Sequence, residues 1–356
     1  MRSKRGASAG VGVLAAIAWA AGLWAQQSPD PMRRGFELER QGNYADAVTA
    51  YREVLKRKPS AAAALFGLER SLLALDRPTD ILADARAAIA ASPTTGAFYG
   101  VALRAWAAAD RPDSVRAVAQ QWAALDPADE TPYREWGTAA LARHDHADAR
   151  RAYVTARERL HQPDALAGEL ALALSQEQDW LPAAHEWAAA LAKVGGYRST
   201  AVRALVPAPE SIQPRVLQLL AKEPAPAARW LGSDLKARWG DPVGGFELLA
   251  GNLPADRGRA LEAVSGFLDQ LRDQTGPPAR RAQGLALAAL AERTPGPGGS
   301  QLQLEAAQAF ADAGDEAAAR RLLGGVTGDA GAVTTIAAGA ATQAQSRSRL
   351  LATRSR

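Results

Sequence analysis

Three evenly spaced prolines restrict the fold of the chain more than any other feature. The interval from Pro59 to Pro93 equals the interval from Pro93 to Pro127, and a stretch with helix-type spacing of apolar residues precedes each proline. The tripeptide Asp-Arg-Pro occurs twice, at 76–78 and at 110–112, with the same interval between its copies. Proline ends a helix because it has no amide hydrogen and its ring clashes with the preceding turn. This repeat period, of about 34 residues, indicates stacked units of two helices each.

The composition agrees with an all-α fold. Alanine dominates the sequence, aromatic residues make up only 6% of it, and apolar residues follow the helical i, i+3, i+4 spacing instead of alternating. The chain has no cysteine, which excludes disulfides, thiolate zinc sites and thiol nucleophiles but does not settle the compartment.

The repeat resembles the tetratricopeptide repeat (TPR), whose unit is a pair of antiparallel helices. In the first unit the residues at the small, turn, aromatic and terminating positions of that family are Gly35, Gly42, Tyr44, Ala47, Tyr51 and Pro59. The fourth unit repeats the register with Gly137, Ala149, Tyr153 and Ala156. The resemblance covers about residues 28–195, as five units, and implies a right-handed α-solenoid. Glu69 and Leu103 replace small residues of the pattern, so we expect the second and third hairpins to be splayed or shifted.

The second half of the chain is less regular. Five prolines crowd between Pro207 and Pro226 and interrupt the helical rhythm. We expect divergent helical repeats over 196–326, with turns at Trp239-Gly240-Asp241-Pro242 and at Gly314-Asp315, and a linker at 294–299. Residues 327–356 are rich in small residues and arginine, and we expect a flexible tail.

Residues 1–25 have the order of a secretory signal peptide: a short positive segment, an apolar stretch and small residues, with cleavage expected after Ala25. The alternative is an uncleaved inner-membrane anchor formed by residues 7–25, which are barely long enough to span a bilayer. Both alternatives place the remaining chain outside the cytoplasm. A cleaved chain would be periplasmic or secreted, and an uncleaved one would be anchored to the inner membrane. Any membrane contact is expected only through this segment, if it is uncleaved.

The net charge does not favour nucleic acid as a partner. The whole chain carries +4, but residues 1–25 hold three basic residues and no acid, so the remainder has 39 basic and 38 acidic residues. A nucleic-acid-binding protein needs a basic stripe across its folded surface, and the sequence shows none.

Catalytic and metal-binding patterns are sparse. The one cluster with metal-like residue types is His144-Asp145-His146 with Asp148, in the turn of the fourth unit. We interpret it as a solvated turn and a helix start, because a metal site needs three or four convergent ligands. The sequence has no phosphate-binding loop, nucleophile elbow or dinucleotide fingerprint, and we interpret the Glu210-Ser211 pair as chance. We expect no catalytic residues, no metal and no cofactor.

The candidate binding site is the concave groove that the resemblance implies, formed by the first helix of each unit. Its exposed positions are Phe36, Glu39, Phe66, Arg70, Arg104, Arg134 and Thr138. Because Arg70 and Arg104 are one repeat period apart, they should stack as a short basic ladder that holds a peptide with carboxylates and an apolar side chain. The alternative is that these arginines are solvated, or pair with Glu69 and Asp110.

The sequence therefore predicts a non-enzymatic protein–protein interaction scaffold outside the cytoplasm, with an unidentified protein or peptide partner in the groove. A peptidoglycan- or glycan-binding or enzyme-accessory solenoid of the cell envelope is the alternative, since groove aromatics also pack on sugar faces. A catalytic site within residues 200–330 is the least favoured reading.

Overall fold

The computed structural model describes residues 30–324, and within that range the protein has eighteen α-helices, two short 3-10 turns and no strand. The predicted all-α fold is therefore confirmed. The signal or anchor segment 1–25 and the tail 327–356 lie outside the described residues. The chain divides into two compact units, the first ending at His161 and the second beginning at Gln162. Four of the five expected regular repeats thus belong to unit 1, and the fifth belongs to unit 2.

Unit 1 consists of four consecutive helix pairs. Their bounds are α1 (Pro31–Arg40), α2 (Tyr44–Arg57), α3 (Ala62–Ala74), α4 (Leu82–Ala91), α5 (Gly96–Ala108), α6 (Pro112–Ala123), α7 (Thr131–Ala142) and α8 (His146–Leu160). The first helices of the pairs lie side by side, because α1 contacts α3, α3 contacts α5, and α5 contacts α7. The recurring prolines stand just beyond the ends of α2, α4 and α6, as the repeat period predicts.

The turn inside each pair contains one residue in the left-handed backbone region, and this position recurs with the same period as the prolines. It is Gly42 (φ 77°), Asp76 (φ 56°), Asp110 (φ 52°) and His144 (φ 60°) in unit 1, and Gln178 (φ 61°) in the first pair of unit 2. Only glycine adopts this conformation without a steric cost. The backbone therefore keeps the repeat even where the side chain has changed.

Tyr51 of α2 joins the first pair to the second. Its side chain is fully buried and its ring lies between α1 and α3. A Cβ atom at Gly35 would come within 2.7 Å of the ring, and a Cβ at Gly67 would overlap it. The absence of a side chain at both positions lets one aromatic ring fill the space between two neighbouring first helices.

The second and third pairs depart from this arrangement, as predicted. In the second pair, α3 packs on the 3-10 turn Pro78–Ile81, whereas α4 packs on α5 of the next pair, so α3 and α4 are splayed. In the third pair the close approach is shifted, because a Cβ at Gly100 would lie 3.3 Å from the ring of Trp122. Glu69 and Leu103 occupy in these pairs the positions that Gly35 and Gly137 hold in the first and fourth pairs.

Unit 2 contains ten helices within the described range. They are α9 (Ala167–Gln176), α10 (Trp180–Lys193), α11 (Arg198–Leu205), α12 (Gln213–Lys222), α13 (Pro226–Arg238), α14 (Pro242–Ala250), α15 (Arg257–Leu271), α16 (Pro277–Glu292), α17 (Pro297–Asp312) and α18 (Glu316–Gly324), with a 3-10 turn Gly195–Tyr197 before α11. The predicted turns at Gly240 and Gly314 are confirmed, with φ 102° and 82°. The linker predicted at 294–299 is wrong in extent, since α17 begins at Pro297, a residue that is well suited to a first helical turn.

A buried ion pair connects three helices of unit 2. Arg198 of α11 donates two hydrogen bonds to the fully buried carboxylate of Asp234 in α13, at 2.6 and 2.7 Å. A third nitrogen of the same guanidinium donates to the carbonyl of Ala263 in α15, at 3.0 Å. Arg198 also passes close to Gly266, where a Cβ would lie 2.6 Å from Nη1. The pair satisfies charges that would otherwise be costly in this interior.

Candidate functional site

The predicted site residues lie on the first helices of unit 1, and we call the surface that they share the first-helix face. It is formed by α1, α3, α5 and α7, and the predicted residues on it are Phe36, Glu39, Phe66, Arg70, Arg104, Arg134 and Thr138. Phe36 and Thr138 are exposed, whereas Phe66 is partly buried and packs on the core. Arg134 forms an i, i+4 ion pair with Glu130.

Arg70 and Glu39 form a two-point ion pair between α3 and α1. Arg70 Nε donates to Glu39 Oε1 at 2.6 Å, and Nη2 donates to Oε2 at 2.9 Å. The hydroxyl of the buried Tyr51 donates to the same carboxylate at 2.6 Å. The Arg70 hydrogen bonds lower the pKa of the Glu39 carboxyl below its usual value, and Tyr51 adds to this effect. Burial, together with the Glu39 carboxylate, raises the pKa of Tyr51 to about 12.

The second expected member of the ladder is paired as well. Arg104 of α5 donates two hydrogen bonds to Glu69 of α3, at 2.7 and 3.0 Å, and its Nη1 lies 3.8 Å from Glu135 of α7. These contacts raise the pKa of the Arg104 guanidinium, with the Glu69 hydrogen bonds as the largest cause. Opposite charges therefore alternate across the first-helix face from Glu39 to Glu135.

Arg70 and Arg104 are both paired with glutamates, so the expectation that they form a ladder of unpaired cations is wrong. The alternative, that they pair with acids of the chain, is partly right. Arg104 pairs with Glu69, as the alternative proposed, but Arg70 pairs with Glu39 instead. Asp110, the other expected partner, lies 3.6 Å from Arg143. The physical reason is that side-by-side first helices bring together side chains that are slightly less or slightly more than one repeat period apart, which the exact period did not reveal.

A cavity of about 430 Å³ opens between α1 and α3. It brings three of the predicted residues together with three others and is lined by Phe36, Glu39, Arg40, Tyr44, Arg70 and Ala74. The Phe36 side chain is 58% exposed. Leu73, which directly precedes Ala74 on α3, is 66% exposed. This cavity is the part of the first-helix face with the features of a ligand site, namely apolar walls and a few convergent polar groups.

The sequence interpretation missed Arg40 and Leu73. Arg40 lies four residues after Phe36, and Leu73 lies three residues after Arg70, so each shares a helix face with a predicted residue. The spacing within each first helix was therefore a signal that could have found both.

The histidine-rich turn is organised around the carboxylate of Asp148. The indole of Trp136 donates to the buried Asp148 carboxylate at 2.9 Å, and Arg151 donates to it at 3.1 Å. Asp145 caps α8 by accepting from the Asp148 amide at 3.0 Å. Over residues 30–324 no group of three or more histidine or carboxylate side chains is placed to hold a metal ion.

A second cavity, of about 680 Å³, lies in unit 2, beside the turn between α17 and α18. Its two cationic residues, Arg281 and Arg321, come from α16 and α18, and Asp315 pairs with Arg281 at 3.3 Å. The two acids of unit 2 with a shifted pKa lie elsewhere: Asp234 is bound by Arg198, and Asp241 caps α14. Both acids therefore hold helices of unit 2 in place and do not line this cavity.

The periodic recurrence of the left-handed turn, the paired helices and the glycine–aromatic contacts together define a fold of repeated helical pairs, which is the architecture that the resemblance to the tetratricopeptide repeat implies. No protein-family model matches the chain, and no curated protein matches it. Among solved structures, the chain is similar to the MamA protein (20% identity, 48% of this chain and 92% of that one, TM-score 0.36). It is also similar to TTC0263, a thermophilic TPR protein of Thermus thermophilus (21% identity, 50% of this chain and 98% of that one, TM-score 0.34). The TPR domain of P58(IPK) aligns more widely, over 89% of this chain and 98% of that one, at 11% identity and a TM-score of 0.25.

No helix within residues 30–324 is both long enough and apolar enough to cross a bilayer.

Proposed function

We propose that the protein is a non-enzymatic interaction scaffold outside the cytoplasm, which binds a partner peptide or protein on the first-helix face of unit 1. The observation that carries this proposal is the cavity between α1 and α3, where an exposed aromatic ring stands beside charged groups that are already held in place. Rigid walls reduce the entropy that is lost when a partner binds.

Exposed apolar side chains support the same surface. A single exposed phenylalanine or leucine is ordinary in a folded protein. Phe36 and Leu73, however, are the two most exposed large apolar side chains of the described range; Phe36 lines the cavity, and Leu73 directly precedes its lining residue Ala74 on α3. Apolar groups that converge beside polar ones are typical of interaction sites.

Site-specific photocross-linking in the native cells tests the use of this surface. We would place a photoreactive phenylalanine analogue at Phe36 or Thr138 on the first-helix face, and at Val154 of α8 as a control. Val154 is also an exposed apolar position, with 40% of its surface accessible. We expect one defined protein adduct from the first-helix positions and not from Val154. The same adducts from all three positions would contradict the proposed surface.

The proposed location rests on the order of charged, apolar and small residues in 1–25. Mass spectrometry of the mature N-terminus tests it, together with a C-terminal phosphatase fusion that is active only outside the cytoplasm. We expect an active fusion, and a chain that begins at Gln26 if the segment is cleaved. An inactive fusion on a chain that retains Met1 would refute export.

A further inference from the structure

The cavity between α1 and α3 carries an uncompensated positive charge. Of its three charged groups, Glu39 and Arg70 neutralise one another through their two-point ion pair. Arg40, the last residue of α1, is exposed and has no side-chain hydrogen bond or ion pair within residues 30–324. The group left to attract a ligand is therefore a cation, beside the exposed ring of Phe36.

The distance between this cation and the ring defines the shape of a suitable ligand. Phe36 and Arg40 are four residues apart on one helix, so they are separated by about 6 Å along its axis. In an extended peptide, side chains two residues apart point to the same side and are separated by about 6.6 Å. An extended segment with an apolar residue, any residue and then an acidic residue matches this spacing.

The two terminal segments of this sequence do not have the negative charge that would complement the cavity. Residues 1–29 contain no aspartate or glutamate, and residues 325–356 contain one aspartate against four arginines. A positively charged cavity does not select either of them. Neither of these two segments therefore has the charge that matches the cavity.

We propose that this cavity binds a short, extended acidic segment of a partner protein. In the bound segment an apolar side chain packs on Phe36, and the carboxylate two residues later accepts hydrogen bonds from Arg40. The volume of about 430 Å³ is in the range of ligand sites, which is about 300–1,000 Å³, and admits a few residues of a peptide. This inference rests on the proposed function and names the chemistry of the partner.

Titration with synthetic peptides tests the inference on the full chain. The probe is Ac-Gly-Ser-Leu-Ser-Asp-Ser-Gly-NH2, whose blocked ends leave the aspartate as its only charge. Its twins carry asparagine in place of the aspartate, or serine in place of the leucine. Saturation-transfer NMR at low ionic strength gives each Kd. We expect the aspartate peptide to bind about three- to fivefold more tightly than the asparagine twin, as befits a partly exposed ion pair.

The matched control variant is Arg57→Gln. Arg57 is also an exposed arginine at the last position of a helix, α2, and no side-chain partner is seen for it in the described range. Arg40→Gln should abolish the preference for aspartate over asparagine, and Arg57→Gln should retain it. Phe36→Ala should weaken both peptides and remove the preference for leucine. Because all three side chains are exposed, circular dichroism should show unchanged folding.

The inference is overturned if the wild-type protein binds the aspartate and asparagine peptides equally. It is also overturned if Arg40→Gln keeps the preference, or if Arg57→Gln loses it to the same degree. A defined cross-link from Phe36 without any peptide preference would leave the proposed function in place and reject only the acidic segment. If neither a defined cross-link nor a peptide preference is seen, both the proposed function and the acidic segment are rejected.

Discussion

Replacing Gly67 with alanine would place a methyl group inside the ring of Tyr51, and the expected cost can be worked out from the packing. The ring has little room to move, because the backbone at Gly35 also lies against it and its hydroxyl donates to Glu39 at 2.6 Å. Overpacking of this kind costs about 1–3 kcal/mol. Alanine is a better helix former than glycine by about 0.5–1 kcal/mol. The net expectation is a destabilisation of up to about 2.5 kcal/mol.

Differential scanning calorimetry of the full chain measures this change, and we expect the transition of unit 1 to fall by up to about 10 °C. Gly232 provides the matched control within α13. A Cβ at Gly232 would meet its nearest neighbour, Leu220, at 3.7 Å, which is ordinary contact. Gly232→Ala should therefore stabilise unit 2 by about 0.5–1 kcal/mol.

A second background shows whether the Tyr51 ring is the cause. In a Tyr51→Leu protein the ring is gone, so Gly67→Ala should become neutral or stabilising. An equal loss from Gly67→Ala in both backgrounds would refute the argument that a glycine pair encloses this aromatic ring.

Three further predictions concern the turn, the ion pair of the first-helix face and the interior of unit 2. Gly42→Ala should destabilise unit 1 by about 1–2 kcal/mol in urea unfolding, because its φ is 77° and a Cβ there meets no atom within 4 Å, so only backbone strain is added. Because Arg70 lowers the pKa of Glu39, the pair stabilises the fold above the unfolded carboxyl pKa of 4.5 and loses that contribution as pH falls through the folded value. Thermal scans from pH 7 to pH 3 should therefore show a steeper loss below pH 4.5 for the wild type than for Glu39→Gln, and parallel curves would contradict it. Arg198→Met should cost about 3–5 kcal/mol because it leaves Asp234 buried without its partner, and a loss below about 1 kcal/mol would show that the pair is dispensable.

The helical pairs could be predicted from the sequence because their causes are local. Pro59, Pro93 and Pro127 cannot continue a helix, so their spacing gave the unit length directly. The left-handed backbone at the turn was harder to predict, because the glycine of the first pair, Gly42, is replaced by aspartate in the next two pairs, at Asp76 and Asp110. Aspartate tolerates that backbone region better than most residues do.

The pairing on the first-helix face could not be predicted in the same way, because it depends on how neighbouring helices are aligned. The repeat pattern alone does not say which acid Arg70 reaches, and the packing of α1 against α3 selects Glu39. The sequence predicted which residues lie on the first helices, but their contacts with one another required the structure.

The charges of the first-helix face are separable from the forces that hold unit 1 together. Arg70 and Arg104 remain 57% and 46% exposed in their ion pairs, and ion pairs of that kind contribute only about 0–1 kcal/mol. The burial of Tyr51 contributes more, at about 1.5–3 kcal/mol for a large side chain. Arg40 is exposed and forms no side-chain hydrogen bond or ion pair within residues 30–324. Substitutions at Arg40 and Phe36 should therefore change binding while the helix pairs stay folded. If such a variant no longer binds a partner, the loss is due to the changed surface and not to unfolding.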